Sequence, residues 1–290
     1  MQLRSSTTLG ILFALITACG LGSITTQAKL FYADDGDALT LMLVRFVVSV
    51  VAFGAIWLLR GQSFRIDPSQ RWRLLLLGLF WSGGMICYLL SVESIPVSLA
   101  VLIFYTYPLL VLFWSILRGQ LRPSPLLIGL FLGAFGGLYL LLSGGSFEPD
   151  PAGIVFAGLA SIGAAFTFVC GARVAPQVPP LLMVFWINAV GLIMILPLLA
   201  DGLAWPSGSP GFTALTIATV LYLIAILSQF EALARLSAAR AAMILNLEPA
   251  VSILMARLLI DEVLSPLQWA GVVLVISIIL LSLRFKPAQA

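Results

Sequence analysis

Residues 10–14 read Gly10-Ile11-Leu12-Phe13-Ala14, and 143 positions later the chain reads Gly153-Ile154-Val155-Phe156-Ala157. Further matches keep nearly the same spacing. Ser124-Pro125-Leu126 returns as Ser265-Pro266-Leu267, and Pro108 as Pro249, both at an offset of 141. In a composition this biased one match carries little weight, whereas a shared offset along the chain points to internal duplication. The expected units are residues 1–145 and 146–290.

Composition sets the solvent of these units. Of the 290 residues, 61% are hydrophobic and 9% are charged, whereas a soluble domain carries about 45–50% apolar and about 25% charged residues. A soluble enzyme, a disordered chain and a nucleic-acid binder are excluded. The net charge of +3, from 15 basic and 12 acidic residues, is too thinly spread to form a basic patch. A membrane-spanning helix takes roughly 20 apolar residues. Ten spans therefore fit, expected near 8–29, 38–59, 74–92, 97–117, 125–143, 152–172, 180–200, 212–233, 239–260 and 266–284. Breaker-rich segments separate them, including residues 33–37, 144–151 and 206–210.

Lys and Arg orient such a bundle, because cytoplasmic loops hold their excess. Arg4, Arg60, Arg65, Arg71, Arg73, Arg118, Arg122, Arg173, Arg235, Arg240, Arg284 and Lys286 fall on one side of the ten-span division. The other side has Lys29 against Asp34, Asp35, Asp37, Glu148, Asp150, Asp201, Asp261 and Glu262. The alternation supports the helix count independently of hydropathy and places both termini in the cytoplasm. Ile16-Thr17-Ala18-Cys19 could pass for a lipoprotein cleavage site. The apolar run, however, continues to about Ala28, beyond the 7–15 residues of a signal core, so span one is expected to be retained.

Five spans per repeat is an odd number, so the second copy must lie upside down in the membrane. The expected fold is all-α integral membrane, ten transmembrane helices in two inverted five-helix repeats around a central cavity. Inverted repeats characterise many secondary transporters, whose sites lie near the midplane where interrupted helices meet.

Pro108 in span four and Pro249 in span nine are such interruptions. Proline lacks an amide hydrogen, freeing the carbonyls of Phe104 and Leu245 for water, protein or ligand; a simple packing kink is the alternative. The surrounding Phe104-Tyr105-Thr106-Tyr107, with Trp81 and Tyr88 of span three, offers hydrogen-bonding groups on apolar rings, which suits an amphipathic solute. Interfacial anchoring accounts instead for Trp57, Trp72 and Trp205. Ionisable residues inside a span cost at least about 2.5–3.5 kcal/mol near the helix centre. Glu248 is the deepest of these and could bind an ammonium group, carry a proton, or pair with Arg45. Asn246 completes the candidate substrate set of Trp81, Tyr88, Phe104, Tyr107, Pro108, Asn246, Glu248 and Pro249. Glu231 with Arg235 and Arg257 with Asp261 are spaced as structural helix pairs. Asn188 and Gln229 can join helices, and Gly129, Gly133 and Gly137 form a small-residue packing stripe. Cys19, Cys87 and Cys170 lie in separate apolar runs with no histidine anywhere, so neither a metal site, a cofactor nor a disulfide framework is expected.

Leu247-Glu248-Pro249-Ala250-Val251-Ser252-Ile253-Leu254-Met255-Ala256, leading to Asp261-Glu262 and Ser265-Pro266-Leu267-Gln268-Trp269-Ala270-Gly271, resembles the second-repeat signature of the EamA-like drug/metabolite transporters. Tyr107-Pro108-Leu109 through Gly119 is similar to the first-repeat counterpart. The resemblance covers essentially the whole chain. It implies an inner-membrane exporter of small metabolites with a cavity lined by spans one, three, four, six, eight and nine, and it extends to the amino-acid exporters, including the aromatic amino-acid exporter. Two departures matter. Cys19-Gly20 stands where many members have Trp-Gly, and residues 8–28 hold no acid, so the first-span glutamate of the four-helix multidrug relatives has no counterpart.

The expected function is therefore secondary transport of amino acids or related metabolites, by a monomer or homodimer in the lipid bilayer. A nucleotide-sugar or phosphate-ester exchanger would need several buried cations. A membrane enzyme would need clustered catalytic groups. A non-transporting membrane protein is the remaining alternative.

Overall fold

The computed structural model describes residues 2–142, 150–261 and 263–284. Of the loop expected at 144–151, residues 144–149, with Glu148, lie outside the described residues, as do Glu262 and Lys286. Twelve α-helices follow in order: α1 (Gln2–Tyr32), α2 (Ala38–Leu59), α3 (Pro68–Ser94), α4 (Val97–Phe104), α5 (Tyr107–Leu117), α6 (Pro125–Leu142), α7 (Pro151–Val174), α8 (Pro180–Ile195), α9 (Ser209–Leu233), α10 (Ala238–Leu245), α11 (Leu247–Leu259) and α12 (Pro266–Arg284). A 3₁₀ turn, Leu196–Asp201, extends α8. The described residues contain no strand.

Among the described residues, nine helical segments are long and apolar enough to cross a bilayer, and α12 supplies a shorter tenth. At 1.5 Å per residue, the 19 residues of α12 reach about 28 Å, close to the hydrocarbon thickness of about 30 Å. Spans four and nine each consist of two helices, α4–α5 and α10–α11.

The helix ends follow local chemistry. Asp37, Asp67 and Asp150 accept from the amides of Thr40 (2.6 Å), Ser69 (2.9 Å) and Ala152 (2.9 Å), satisfying donors that a helix start leaves free. Pro68, Pro125, Pro151, Pro180 and Pro266 each open a helix, where the missing amide costs nothing. Gly61 and Gly119 end α2 and α5 at φ +63° and +64°, the left-handed conformation that glycine enters without penalty.

The two repeats interlock rather than sit side by side. α1 packs along α9, and α7 along α3, so the first span of each repeat lies on the third span of the other. α2 with α8 and α6 with α12 join equivalent spans at the flanks. One detail carries the symmetry to atoms. A Cβ added at Gly20 would stand 3.0 Å from Ala225 and 3.5 Å from the Leu221 carbonyl oxygen. A Cβ added at Gly163 would stand 2.8 Å from the Phe80 carbonyl oxygen and 3.1 Å from Gly84. These are the same contacts, shifted by 143 residues on one helix and 141 on the other.

Three sequence expectations need correction. Gly133 and Gly137 do face α12, at Ile278 and Val275, but Gly129 has nothing within 4 Å of an added Cβ and takes no part in that contact. Trp72 and Trp205 are exposed, whereas Trp57 is buried and its indole donates to the Ser63 carbonyl at 3.0 Å. An interfacial anchor would face lipid headgroups; this ring instead fastens the following loop to α2. Finally, Asp34 is more than a loop acid. It accepts from the amides of Gly208 (2.9 Å) and Gly211 (3.1 Å) at the start of α9, tying the α1–α2 turn to that helix end, where an anion is favoured.

Candidate functional site

Each interrupted span breaks just before its proline. Pro108 is the second residue of α5 and Pro249 the third of α11, and both are buried inside the bundle. At the first break, the Thr106 hydroxyl donates to the Ile103 carbonyl at 2.7 Å and meets the Ser161 hydroxyl of α7 at 2.8 Å. At the second, the Asn246 side-chain amide donates weakly to the carbonyls of Ala242 (3.5 Å) and Met243 (3.4 Å). Asn246 is thus turned back on its own helix, occupied as a structural cap.

The halves of these spans behave differently on the two sides of the membrane. On the side of the arginine-rich loops, α5 and α10 pack on one another, and every residue of α10 except Arg240 is buried. On the acidic side, α4 and α11 do not pack in this way. Leu247, Glu248 and Val251–Met255 are only half-buried, as are Leu99 and Val101–Phe104.

Glu248 opens α11 beside that parting, directly after the break at Asn246, and both it and Tyr88 of α3 are half-buried. Tyr105, Tyr107 and Tyr88 surround the Glu248 carboxyl within its electrostatic reach. Rings continue the wall. Phe104 stands 5.3 Å from Tyr88 and 5.5 Å from Tyr107, and Tyr107 stacks on Phe168 of α7 at 5.1 Å. Tyr88, Phe104, Tyr107, Pro108, Glu248 and Pro249 lie in one neighbourhood.

Trp81 joins a second group. Its indole donates to the Tyr222 hydroxyl at 3.4 Å, and Tyr222 donates to the Asn188 side-chain oxygen at 2.9 Å. Positions 81 and 222 differ by 141, so equivalent residues of spans three and eight touch across the repeat axis. Asn188 thereby links α8 to α9, as expected of a helix-joining amide. Arg45 places its guanidinium carbon 5.2 Å from the centre of the Tyr222 ring. It makes no ion pair with Glu248, although depth alone allowed one. Gln229, the other expected helix joiner, is 1% exposed with neither amide atom hydrogen-bonded.

Glu231 and Arg235 form the expected ion pair, with Arg235 also over the Phe13 ring at 5.1 Å. Arg257 and Asp261 approach to 3.9 Å. The cysteines are free, and the described residues contain no group of three metal-ligating side chains. A recess among Leu127, Phe131, Arg240 and Met243 holds none of the candidate residues.

Tyr105, Phe168, Tyr222 and Arg45 are the participants that sequence reasoning left outside the candidate set. Tyr105 had a usable signal, since it sits in the aromatic-rich quartet Phe104-Tyr105-Thr106-Tyr107, opposite Asn246 at the 141-residue offset. Phe168 had none beyond being an aromatic residue in span six.

An interlocked, ten-helix inverted-repeat bundle with two interrupted spans and a carboxyl-bearing aromatic cleft defines a class of polytopic membrane transporters. The sequence agrees, since the profile of the EamA-like transporter family matches residues 8–143 and again 151–284. The chain belongs to that family. The uncharacterized inner membrane transporter YedA of Escherichia coli K12 is 28% identical over 280 residues, covering 94% of this chain and 90% of the relative. The YedA proteins of the CFT073 and O157:H7 strains match equally. A solved crystal structure, described only as that of a protein, superposes with a TM-score of 0.79 at 20% identity, covering 97% of this chain and 99% of the other. At that identity the likeness speaks for the fold.

Proposed function

We propose that this protein is a secondary transporter, not an enzyme, that exports amino acids or related small amphipathic metabolites across the inner membrane by alternating access. The observation that carries the reading is the unequal closure of the two interrupted spans around Glu248: sealed where α5 meets α10, parted where α4 faces α11. Residues 1–145 and 146–290 serve as the two inverted units. Because such units are equivalent by symmetry, exchanging their conformations would close the parted side and open the sealed one. With the arginine-rich loops in the cytoplasm, both termini are cytoplasmic and the parted side opens outward.

Tyr88, Phe104, Tyr107 and Glu248 form the substrate-contacting wall, with Pro108 and Pro249 setting the breaks. Glu248 meets a substrate ammonium or a coupling proton, against rings that accept an apolar side chain. A substrate of the aromatic amino-acid kind would suit that wall. Counterflow of radiolabelled amino acids in proteoliposomes, with and without a pH gradient, tests this. Saturable exchange of at least one amino acid is expected; no exchange across the panel overturns the substrate assignment.

A further inference from the structure

Gln229 is 1% exposed in the interior of α9, and neither its amide oxygen nor its amide nitrogen has a hydrogen-bond partner. It stands one turn beyond Ala225, which meets α1 at Gly20, so it lies on the side of α9 packed along α1. A helix-joining amide would be bonded across that contact, as Asn188 is to Tyr222. Leaving a buried donor and acceptor unpaired is costly, and such a group in a folded chain calls for an explanation.

The repeat supplies one. Trp81 and Tyr222, equivalent at the 141-residue offset, touch at the axis that relates the two units. From there α3 runs toward the acidic loops and α9 toward the arginine-rich ones. Seven residues further along each helix, about 10 Å on, stand Tyr88 and Gln229, which are equivalent at the same offset. Tyr88 is half-buried and faces the Phe104 ring of α4 at 5.3 Å. Leu245, the counterpart of Phe104, is 2% exposed within sealed α10. Gln229 thus holds in the sealed half the position that Tyr88 holds in the parted half.

We infer that Gln229 is the cytoplasmic counterpart of Tyr88, a specificity residue that meets substrate and water once the α5–α10 side opens. This rests on the transporter reading above and extends its site to the second face. The amide is unpaired here because its partners arrive only in the other conformation. Its oxygen accepts from a substrate ammonium, and its nitrogen donates to a substrate carboxylate. The same offset puts Tyr107 where Glu248 stands, directly before the proline. The cytoplasmic wall therefore presents two neutral polar groups, Gln229 and Tyr107, where the outer wall has Tyr88 and Glu248.

The test uses the full-length protein reconstituted in proteoliposomes in one orientation, with KM for L-phenylalanine and L-leucine measured from each face. Gln229→Met keeps the length of the side chain and removes the amide. It is expected to raise KM at the cytoplasmic face by about threefold to tenfold, the worth of one neutral hydrogen bond, and to leave the outer KM within about twofold. Tyr88→Phe is expected to act on the outer face instead. Because the sealed state loses an unpaired amide, Gln229→Met also melts at or above the wild-type temperature, a readout that needs no substrate. Equal KM changes at both faces, or no change at either, overturn the assignment while leaving transport intact. A Gln229→Met that melts lower or fails to fold also overturns it, by marking the amide as a structural joiner. Wild-type protein that moves neither amino acid from either face overturns the transporter substrate reading and this assignment with it.

Discussion

The two interrupted spans share a repeat ancestry, but their equivalent halves do not share an environment. α10, on the arginine-rich side, is buried against α1, α5 and α7, while its repeat counterpart α4, on the acidic side, is half-buried and parted from α11. Equivalent sequence positions thus occupy unequal surroundings. In an inverted repeat, inequality of this kind is a conformational state, because the symmetry-related arrangement is available to the same contacts. The flanking pairs α2–α8 and α6–α12 have no such inequality and act as the frame.

The largest effect is expected at the junction between the halves. Glu248→Gln removes the carboxylate at the start of α11 and lowers counterflow by about tenfold to a hundredfold, the worth of a charge-assisted contact. Monodispersity in size-exclusion chromatography shows that folding is intact. Unchanged kinetics would detach Glu248 from the site. Tyr107→Phe is expected to impair transport less, since it removes a hydroxyl while keeping the stack on Phe168.

The frame is tested by adding volume where the repeats touch. Gly163→Leu drives carbon against the Phe80 carbonyl and Gly84, and overpacking of this kind costs about 1–3 kcal/mol, read as a lower melting temperature. Gly129→Ala, with nothing within 4 Å of the added carbon, should not lower it. If both behave alike, the interlocked packing is wrong.

The breaks themselves are unequal and give a smaller, more discriminating test. Thr106→Val deletes two hydrogen bonds of 2.7 and 2.8 Å, whereas Asn246→Leu deletes contacts of only 3.4–3.5 Å. The former should cost about 1–2 kcal/mol and the latter less than about 1 kcal/mol, both read by thermal denaturation. The reverse order would contradict the assignment of Thr106 as the firmer hinge.

The smallest effect lies outside the membrane. The Ser69 backbone amide and hydroxyl hold the Asp67 carboxyl below its ordinary range. A depressed carboxyl stabilises the fold above its unfolded value and loses that contribution as pH falls through the folded one. Asp67→Asn should therefore slightly flatten acid sensitivity below about pH 4; an unchanged acid limb shows that this cap contributes nothing.

Much of this architecture was legible because it rests on period and composition. Ten apolar stretches, the 141–143 offset and the prolines at 108 and 249 locate the spans, the inversion and the breaks. The carboxyl–tyrosine neighbourhood was half legible. Glu248 stands out by its charge in an apolar run, and Tyr105 by its place in the quartet. The partners of Arg45 were not legible, because a cation's depth says nothing about which helix turns toward it. Its neighbour Tyr222 becomes visible only once α2 is seen against α9. Gly129 shows the same gap, since a stripe gives spacing but not which residues the partner helix reaches.

The unequal closure is most directly measured by thiol labelling in a background lacking Cys19, Cys87 and Cys170. Ser252→Cys shares the Glu248 face of α11, one turn on, and Ala242→Cys sits at a fully buried position of α10. A membrane-impermeant maleimide applied from the acidic-loop side is predicted to label Ser252→Cys readily, while Ala242→Cys resists reagent from either side. Equal reactivity at the two positions, or labelling of Ala242→Cys alone, would contradict a cleft open on one side and sealed on the other.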